Sequence, residues 1–350
     1  MAEIHYQRLR ALRDLMEENG WDAVIISGSD PHGSEYPAPR WKQVEWLSGF
    51  TGEAGDMVVT RDHAGLWTDS RYFIQALNEL EGSGVALHKT RVPDAVDIPR
   101  WLSGRADVVA FDGTCLTVEA VDELRRCLPS AELADVPDLF DRIWTDRPPV
   151  PRSPVMTLDD ETTGESRFRK LSWLRKFLLS EGCDCMLLSK LDEIAWLLNV
   201  RGSDIEYNPL VISHLLVTMD EAFWLVRKNE DDSEDPDTAD SLEELASDGV
   251  TVCRYDSLAD IVEAAAGEGG RVFFDPSSTN YDTFTLMYDS FRDENMLSGV
   301  SPVGLRKAVK NQVEIAGMRE ACHADGIAME KFLRWLDLRL ESGVEVTEWE

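Results

Sequence analysis

The sequence lacks any apolar run that approaches the roughly 20 residues a membrane-spanning helix needs. Its N-terminus, Met1 to His5, opens directly into a charged amphipathic stretch, which is not the pattern of a cleaved signal peptide. Its six cysteines fit neither a disulfide framework nor a zinc ribbon, and the pair Cys183 and Cys185 is one residue short of the redox motif CxxC. We therefore expect a cytoplasmic protein whose reduced thiols pack as small apolar groups.

Positive charge is also scarce, since 35 lysines and arginines stand against 66 aspartates and glutamates, for a formal net charge of −31. A surface this acidic repels nucleic acid and anionic membranes, so we expect neither as a partner. With 43% hydrophobic residues, the 350-residue chain can still build two domains, each with its own core.

Common catalytic motifs are missing as well: the sequence contains no HExxH, nucleophile elbow, P-loop or dinucleotide-binding glycine motif. None of its six histidines lies at ligand spacing from another. The chain therefore offers none of these motifs for catalysis and no histidine pair spaced to bind a metal. One polar stretch, Pro31 to Tyr36, suggests a binding site, and a loop that caps its own backbone explains it equally well.

The first part of the chain alternates helical and extended patterns, which is typical of a layered α/β domain. Apolar residues at helical spacing predict a helix over 4–19 that ends at Gly20. The other predicted elements are strands at 23–26, 57–60, 65–68, 85–90 and 107–111 and helices at 70–81 and 117–128.

Residues 147–154 read Arg-Pro-Pro-Val-Pro-Arg-Ser-Pro, which predicts a stiff linker because proline forbids helix and removes sheet donors. Beyond it the opening pattern returns with a constant shift of 162 positions. The recurring residues are Leu9, Leu12, Gly20, Asp22 and Ser27, which return as Leu171, Leu174, Gly182, Asp184 and Ser189. We interpret this as an internal duplication that produces two neighbouring domains of one fold.

The second half adds two features. The acidic stretch Asn229 to Glu244 lacks the glycine and the closing glutamate of a calcium loop, so we predict a solvated loop there. From Gln312 to about Gly343 the pattern predicts one long helix with a single apolar stripe. Such a helix needs a broad surface to cover, and we interpret it as the start of an interrupted third domain.

Two stretches could carry binding chemistry. In the first, Trp67 to Tyr72, a strand passes into a helix that Asp69 or Ser70 could cap, and Arg71 would project from the first helical turn. An arginine there opposes the helix dipole, so it is either tolerated on the surface or kept to bind an anion such as a carboxylate. The second stretch runs from Leu191 to Pro209 and contains a polar loop. A purely structural role would account for its charged residues if Arg201 and Asp204 form a buried pair that fixes the loop.

Both stretches resemble the large, three-domain cytosolic form of aminopeptidase P (Xaa-Pro aminopeptidase). Residues 67–76 match the family pattern WTDGRYFLQA with Ser70 in place of glycine and Ile74 in place of leucine, and residues 191–209 match LDEIAWLxNxRGSDxxxNP nearly throughout. Shorter matches support the resemblance at Ser34-Glu35-Tyr36, Ser48-Gly49-Phe50, 143–148 and 307–311.

The resemblance implies an α/β fold of two similar creatinase-like N-terminal domains, each a mixed sheet flanked by helices. The first helix of a truncated pita-bread domain would follow. It also implies a metallopeptidase that releases the N-terminal residue of peptides with proline second, with two divalent metal ions, usually manganese, bound beyond residue 350. The resemblance therefore implies no catalytic residue and no metal ligand in this chain. Further implications are a homodimer, proline-containing peptides as partners, and a role for Arg71 in substrate binding.

We accordingly divide the chain into creatinase-like domain I (1–147), a Pro-rich linker (148–157), creatinase-like domain II (158–305) and the start of a truncated catalytic domain (306–350). By itself this chain is expected to be inactive. The alternative is a non-catalytic creatinase-like module for dimerisation or peptide binding. The coding sequence past Glu350 would separate the two.

The acidic, lysine-poor composition predicts that folding depends on salt. Carboxylates keep a protein hydrated in high salt, where screening removes their mutual repulsion, so we expect the refolding yield to rise with salt concentration. The measurement is the yield of folded chain after dilution from denaturant into low and into roughly molar potassium chloride. A yield that does not respond to salt would contradict an adaptation to high salt.

Overall fold

The computed structural model of the protein describes residues 2–228, 234–267 and 269–348, and two six-stranded sheets follow one another along this part of the chain. The first sheet and its helices contain α1 (Ala2–Asn19), β1 (Ala23–Ile26), α2 (Gln43–Ser48), β2 (Asp56–Thr60), β3 (Ala64–Thr68), α3 (Phe73–Glu79), β4 (Ala86–Lys89), α4 (Ile98–Leu102), β5 (Val108–Phe111), α5 (Val118–Cys127) and β6 (Glu132–Asp135). The predicted hairpin is confirmed, because β2 and β3 pair antiparallel.

The second unit opens with β7 (Met156–Thr157), which pairs with the equally short β9 (Val200–Arg201). Its elements are β7, α6 (Asp160–Thr163), α7 (Arg167–Glu181), β8 (Cys185–Leu188), α8 (Leu191–Leu198), β9 (Val200–Arg201), β10 (Ser213–Thr218), β11 (Ala222–Val226), α9 (Pro236–Ser247), β12 (Val250–Arg254), α10 (Leu258–Ala266), β13 (Val272–Phe274), α11 (Tyr281–Ser290), β14 (Met296–Ser298), α12 (Pro302–Ala308) and α13 (Gln312–Glu341).

The two sheets share one topology. The first has the order β4-β3-β2-β1-β5-β6 and the second the order β12-β11-β10-β8-β13-β14. In each sheet the central strand, β1 or β8, pairs antiparallel on one side and parallel on the other, so both sheets are mixed. The two sheets have the same strand order and the same strand directions, which confirms the predicted duplication.

Each central strand is buried on both faces because helices cover both faces of its sheet. Along β1, Val24 and Ile26 face the cluster built with α1, and Ala23 and Ile25 face the cluster built with α5. The alternation follows from the two-residue period of a strand. The continuous apolar runs in β1 and β8 are therefore explained by a sheet packed between two layers of helices.

Two predicted elements are wrong in extent. The helix predicted at 70–81 occupies only Phe73–Glu79 and has no side-chain cap at Tyr72, because Asp69 bonds to Arg71 in a turn before the helix. Within the acidic stretch predicted as a loop, α9 forms at Pro236–Ser247 with Asp235 as its N-cap. Residues 229–233 of that stretch lie outside the described residues.

The predicted long helix is confirmed as α13, Gln312–Glu341. Its start is fixed by a capping box between Asn311 and Glu314, and the indole Nε1 of Trp196 donates to Glu314 at 3.2 Å. None of the residues of α13 is buried against the described part of the chain. Within the same part, no helix is both long and apolar enough to cross a bilayer.

The two units meet where α5 and α11 begin, and they do so reciprocally. The first backbone N–H of α5, at Val118, donates to the carbonyl of Thr279 at 3.0 Å, and the first N–H of α11, at Tyr281, donates to that of Leu116 at 2.8 Å. The second N–H of each helix also donates across the interface. Glu119 donates to the carbonyl of Pro276 and Asp282 donates to the carbonyl of Gly113, both at 3.1 Å. Each unit thus satisfies N–H groups that a helix start leaves without an internal partner.

A buried hydrogen-bond network also crosses this interface. Nδ1 of His32 lies 2.8 Å from the carbonyl oxygen of Ser189, so Nδ1 carries the proton and Nε2 accepts from the Tyr255 hydroxyl at 2.9 Å. The Tyr255 oxygen then accepts from Nε2 of His214 at 3.1 Å, whose Nδ1 accepts from the Ser189 hydroxyl. Every member is satisfied with both imidazoles neutral, and a proton added to His32 Nε2 or His214 Nδ1 occupies the nitrogen that accepts from a hydroxyl group.

This network predicts an acid-sensitive interface. Burial lowers the pKa of both His32 and His214, so below the ordinary value of 6.5 the unfolded chain binds more protons than the folded chain. These groups therefore make the free energy of unfolding fall as the pH drops below about 6.5, by at most ~1.4 kcal/mol per pH unit for each proton. We expect His214→Gln to lose less free energy of unfolding than the wild type between about pH 7.5 and about pH 5.5 in urea titrations.

Other groups also change the free energy of unfolding over this pH range. Burial raises the pKa of Asp112 to about 6, so Asp112 adds stability as the pH falls. The contribution of the histidines is therefore measured as the difference between His214→Gln and the wild type. The matched control is His323→Gln on the exposed face of α13, which should keep the pH dependence of the wild type. A His214→Gln protein with an unchanged pH dependence would refute this role of the network.

Candidate functional site

The turn between β3 and α3 holds Arg71 by hydrogen bonds to Asp69 while leaving it accessible. Asp69 Oδ1 accepts from the backbone N–H of Arg71 at 3.1 Å and from its Nε at 3.0 Å, and Oδ2 accepts from Nη2 at 2.9 Å. These hydrogen bonds from Arg71 lower the pKa of Asp69 to about 2. The Arg71 side chain is still 63% exposed, so its guanidinium is positioned in advance for a ligand.

Other polar side chains surround Arg71. Its guanidinium carbon lies 5.1 Å from the ring centroid of Tyr72, and the Tyr72 hydroxyl donates to Glu53 at 3.4 Å. Arg91 approaches the same Asp69 carboxylate at 3.9 Å. Two guanidinium groups thus share one carboxylate, which favours an anion at this point.

Asp69 of this turn lines one cavity, Glu53, the hydrogen-bond partner of Tyr72, lines another, and Gly55 lines both. The larger of the two, of about 380 Å³, has Asp69 and Arg91 among its polar lining residues and Trp67, Ile98 and Leu124 among its apolar ones. The smaller, of about 170 Å³, is called here the Tyr36–Tyr207 cleft. It is lined by Gly28, Tyr36, Pro37, Trp41, Lys42, Val44, Glu45, Phe50, Thr51, Gly52, Glu53, Gly55, Glu206 and Tyr207.

The polar stretch at 31–36 divides between two roles. Asp30 Oδ1 accepts from the backbone N–H groups of His32 and Ser34, so the loop does cap its own backbone. The His32 side chain enters the interface network, and Tyr36 lines the cleft that bears its name.

The expected Arg201–Asp204 pair is not what fixes the second motif. Asp204 instead accepts from the backbone N–H groups of Ser153 at 2.6 Å and Ile212 at 2.8 Å. Arg201 donates to the carbonyl oxygens of Ala195 and Val200. Asp204 therefore joins the linker to the loop that follows β9. The same loop contains Glu206 and Tyr207, which lie next to the first unit.

Tyr207 is the residue of this site that sequence reasoning missed. Its φ of 63° lies in the left-handed region that bulky residues rarely adopt, and it is 78% exposed. Its ring meets that of Tyr36 edge to face, with centroids 5.4 Å apart. A strained backbone angle cannot be predicted from the pattern of residue types. The signal for this loop in the sequence was the turn-forming pair Asn208-Pro209 that follows Tyr207.

Metal and thiol chemistry find little support in the described residues. Within 2–228, 234–267 and 269–348, no group of three or more His, Cys, Asp or Glu side chains is placed to hold a metal ion. The cysteines there are free thiols, and Cys115, Cys183 and Cys185 are buried. Burial raises the pKa of Cys185 to about 12, so that thiol stays protonated.

Comparisons with known proteins agree with this architecture. Two family models, both described as Creatinase/Prolidase N-terminal domain, match residues 8–143 and 146–314. Xaa-Pro aminopeptidase app-1 of Caenorhabditis elegans is 35% identical over 340 residues, which is 94% of this chain and 53% of that protein. The probable Xaa-Pro aminopeptidase P of Chaetomium globosum is 37% identical, over 95% of this chain and 55% of its own length.

A solved structure matches equally broadly. The crystal structure of X-prolyl aminopeptidase from Caenorhabditis elegans, described as a cytosolic enzyme with a di-nuclear active site, superimposes with a TM-score of 0.87 at 32% identity. The match covers 97% of this chain and 57% of that one. The chain spans about half the length of the curated relatives it matches.

The strain at Tyr207 yields a stability prediction. Glycine adopts a positive φ without steric cost, whereas a bulky residue there loses about 1 to 2 kcal/mol. Because Tyr207 is exposed, little burial is lost, and we expect Tyr207→Gly to raise the free energy of unfolding by roughly 0.5 to 1 kcal/mol in urea titrations. Glu206→Gly, at the neighbouring exposed position, is the control and should lower it. A Tyr207→Gly protein that is destabilised would show that the ring contributes to folding.

Proposed function

The chain belongs to the Creatinase/Prolidase N-terminal domain family, and from this premise we propose that it is the N-terminal region of a metal-dependent Xaa-Pro aminopeptidase. The whole protein would release the N-terminal residue of peptides with proline in second position. The observation that carries the proposal is the match to the Caenorhabditis elegans enzyme over 97% of this chain at a TM-score of 0.87.

The proposed division of labour rests on what the described residues can do. They contain no group of side chains that fits a metal ion, so the two divalent ions, manganese by the resemblance, are not assigned to them. We assign these residues to peptide binding and to the shape of the substrate cleft. Residues 306–350 would begin the catalytic domain, with domain I at 1–147, the linker at 148–157 and domain II at 158–305. A homodimer in the cytoplasm is part of the same proposal.

Arg71 is the residue we assign to peptide binding. Its hydrogen bonds to Asp69 use Nε and Nη2, and Nη1 has no hydrogen-bond partner within the described residues. A carbonyl or carboxylate oxygen of a peptide could accept from Nη1 without breaking the pair. Asp69 would keep the guanidinium in place, which reduces the entropy lost when the peptide binds.

The test is the activity of the whole protein, including the residues that follow Glu350 in its gene, with manganese and peptides of the type Xaa-Pro-Xaa. We expect release of the first residue from these peptides and none when alanine replaces the proline. Removing the Arg71 guanidinium in Arg71→Gln takes away a charge-assisted hydrogen bond of about 1.5 to 3 kcal/mol, so kcat/KM should fall roughly 10- to 100-fold.

Arg126→Gln supplies the matched control, because Arg126 is an exposed arginine of α5 outside both cavities and should leave kcat/KM unchanged. No cleavage of Xaa-Pro peptides by the whole wild-type protein would refute the proposed activity and favour a non-catalytic module. An Arg71→Gln protein with wild-type kcat/KM would refute only the role of Arg71.

A further inference from the structure

The Tyr36–Tyr207 cleft combines aromatic side chains with an excess of negative charge. Tyr36, Trp41, Phe50 and Tyr207 line it together with the carboxylates of Glu45, Glu53 and Glu206, and Lys42 is the one cationic lining residue. Glu53, Glu206 and Tyr207 are exposed, so a ligand can reach them. Carboxylates beside aromatic faces are the combination that attracts an organic cation, through charge and through the ring quadrupole.

The size of the cleft narrows the choice of ligand. About 170 Å³ is well below the roughly 300 Å³ at which pockets for drug-sized ligands begin. It suits one long side chain, and its walls are closely packed at two glycines. A Cβ added to Gly28 would lie 2.3 Å from the carbonyl oxygen of Gly55, and one added to Gly52 would lie 2.2 Å from the Phe50 ring.

The strained and exposed Tyr207 is an independent observation that points to binding. A residue held at positive φ costs free energy, and a tyrosine that is 78% exposed recovers little of it through burial. The ring lies at the cleft against that of Tyr36, in an edge-to-face contact. Strain that folding does not use is typical of residues placed for a ligand.

The cleft is also connected to the peptide-binding arginine. Glu53 lines the cleft and accepts from the hydroxyl of Tyr72, whose ring lies beside the Arg71 guanidinium. A peptide held by Arg71 would therefore pass close to Glu53.

We propose that the Tyr36–Tyr207 cleft is a subsite for a lysine or arginine side chain of the peptide substrate, in the part that follows the proline, with Tyr207 and Glu206 as specificity-determining residues. The aliphatic stem would pack on the tyrosine rings, and the cationic head would pair with the glutamates. The position after the proline is assigned because the first two residues must reach the metal site, which the described residues do not contain. The inference rests on the proposed function for the identity of the ligand as a peptide.

Direct binding to the 350-residue chain tests the subsite without catalysis. The probes are Ala-Pro-Arg-Ala and the same peptide with citrulline, which keeps the shape of arginine and removes its charge. We expect calorimetry to show about 10-fold tighter binding of the arginine peptide at low salt, and a smaller ratio at high salt. Equal affinity for the two peptides would overturn the proposal.

Variants then locate the preference. Tyr207→Gly relieves backbone strain, so a loss of the arginine preference in that protein reports the missing ring and not a damaged fold. Glu206→Gln should reduce the preference as well, whereas Glu161→Gln, an exposed carboxylate of α6 that does not line the cleft, should preserve it. An arginine preference that survives both Tyr207→Gly and Glu206→Gln would place the cation elsewhere and overturn the proposal.

The two proposals can fail separately. If the whole protein cleaves Xaa-Pro peptides while the chain shows no preference for arginine, only the subsite is refuted. If arginine-dependent binding requires Tyr207 but Xaa-Pro peptides are not cleaved, the proposed peptidase activity is refuted and the cleft remains a site for basic peptides.

Discussion

Four backbone hydrogen bonds join the two units at the starts of α5 and α11. The interface network and the Tyr36–Tyr207 cleft depend on the arrangement that these bonds impose. The first two N–H groups of α5 and of α11 donate across the interface to carbonyl oxygens just ahead of the opposite helix. A helix start buried without partners would be costly, so neither unit can separate from the other without exposing these groups to water or leaving them unpaired. The duplication therefore produced a pair that is self-complementary, as in a symmetric dimer.

This constraint determines where the candidate site can form. Because the two units are fixed at their helix starts, the loop after β1 and the loop after β9 are brought together. His32 then reaches Ser189 and Tyr255, while Tyr36 meets Tyr207. The cleft contains residues from both units and would not exist in either alone.

Charge is used differently in the interior and on the surface. The surface carries most of the negative charge, yet the interface network consists of neutral rings and hydroxyl groups, because an unpaired buried charge is expensive. The Arg71 guanidinium, by contrast, is exposed and also hydrogen-bonded. Asp69 holds it with two side-chain hydrogen bonds, and a large part of it remains available to a ligand.

The sequence alone determined the α/β class, the duplication and the long helix at Gln312–Glu341, because apolar periodicity reports which face of each element is buried. It also marked Arg71 and the stretch from Leu191 to Pro209 through their residue types. Only the tertiary structure decided that Arg71 lies in a turn before its helix and that Asp204 holds the linker. The strain of Tyr207 and the reciprocal bonds of α5 and α11 also needed it. These features depend on the relative placement of residues far apart in the chain and on local backbone angles, and neither is encoded in a repeating pattern of apolar residues.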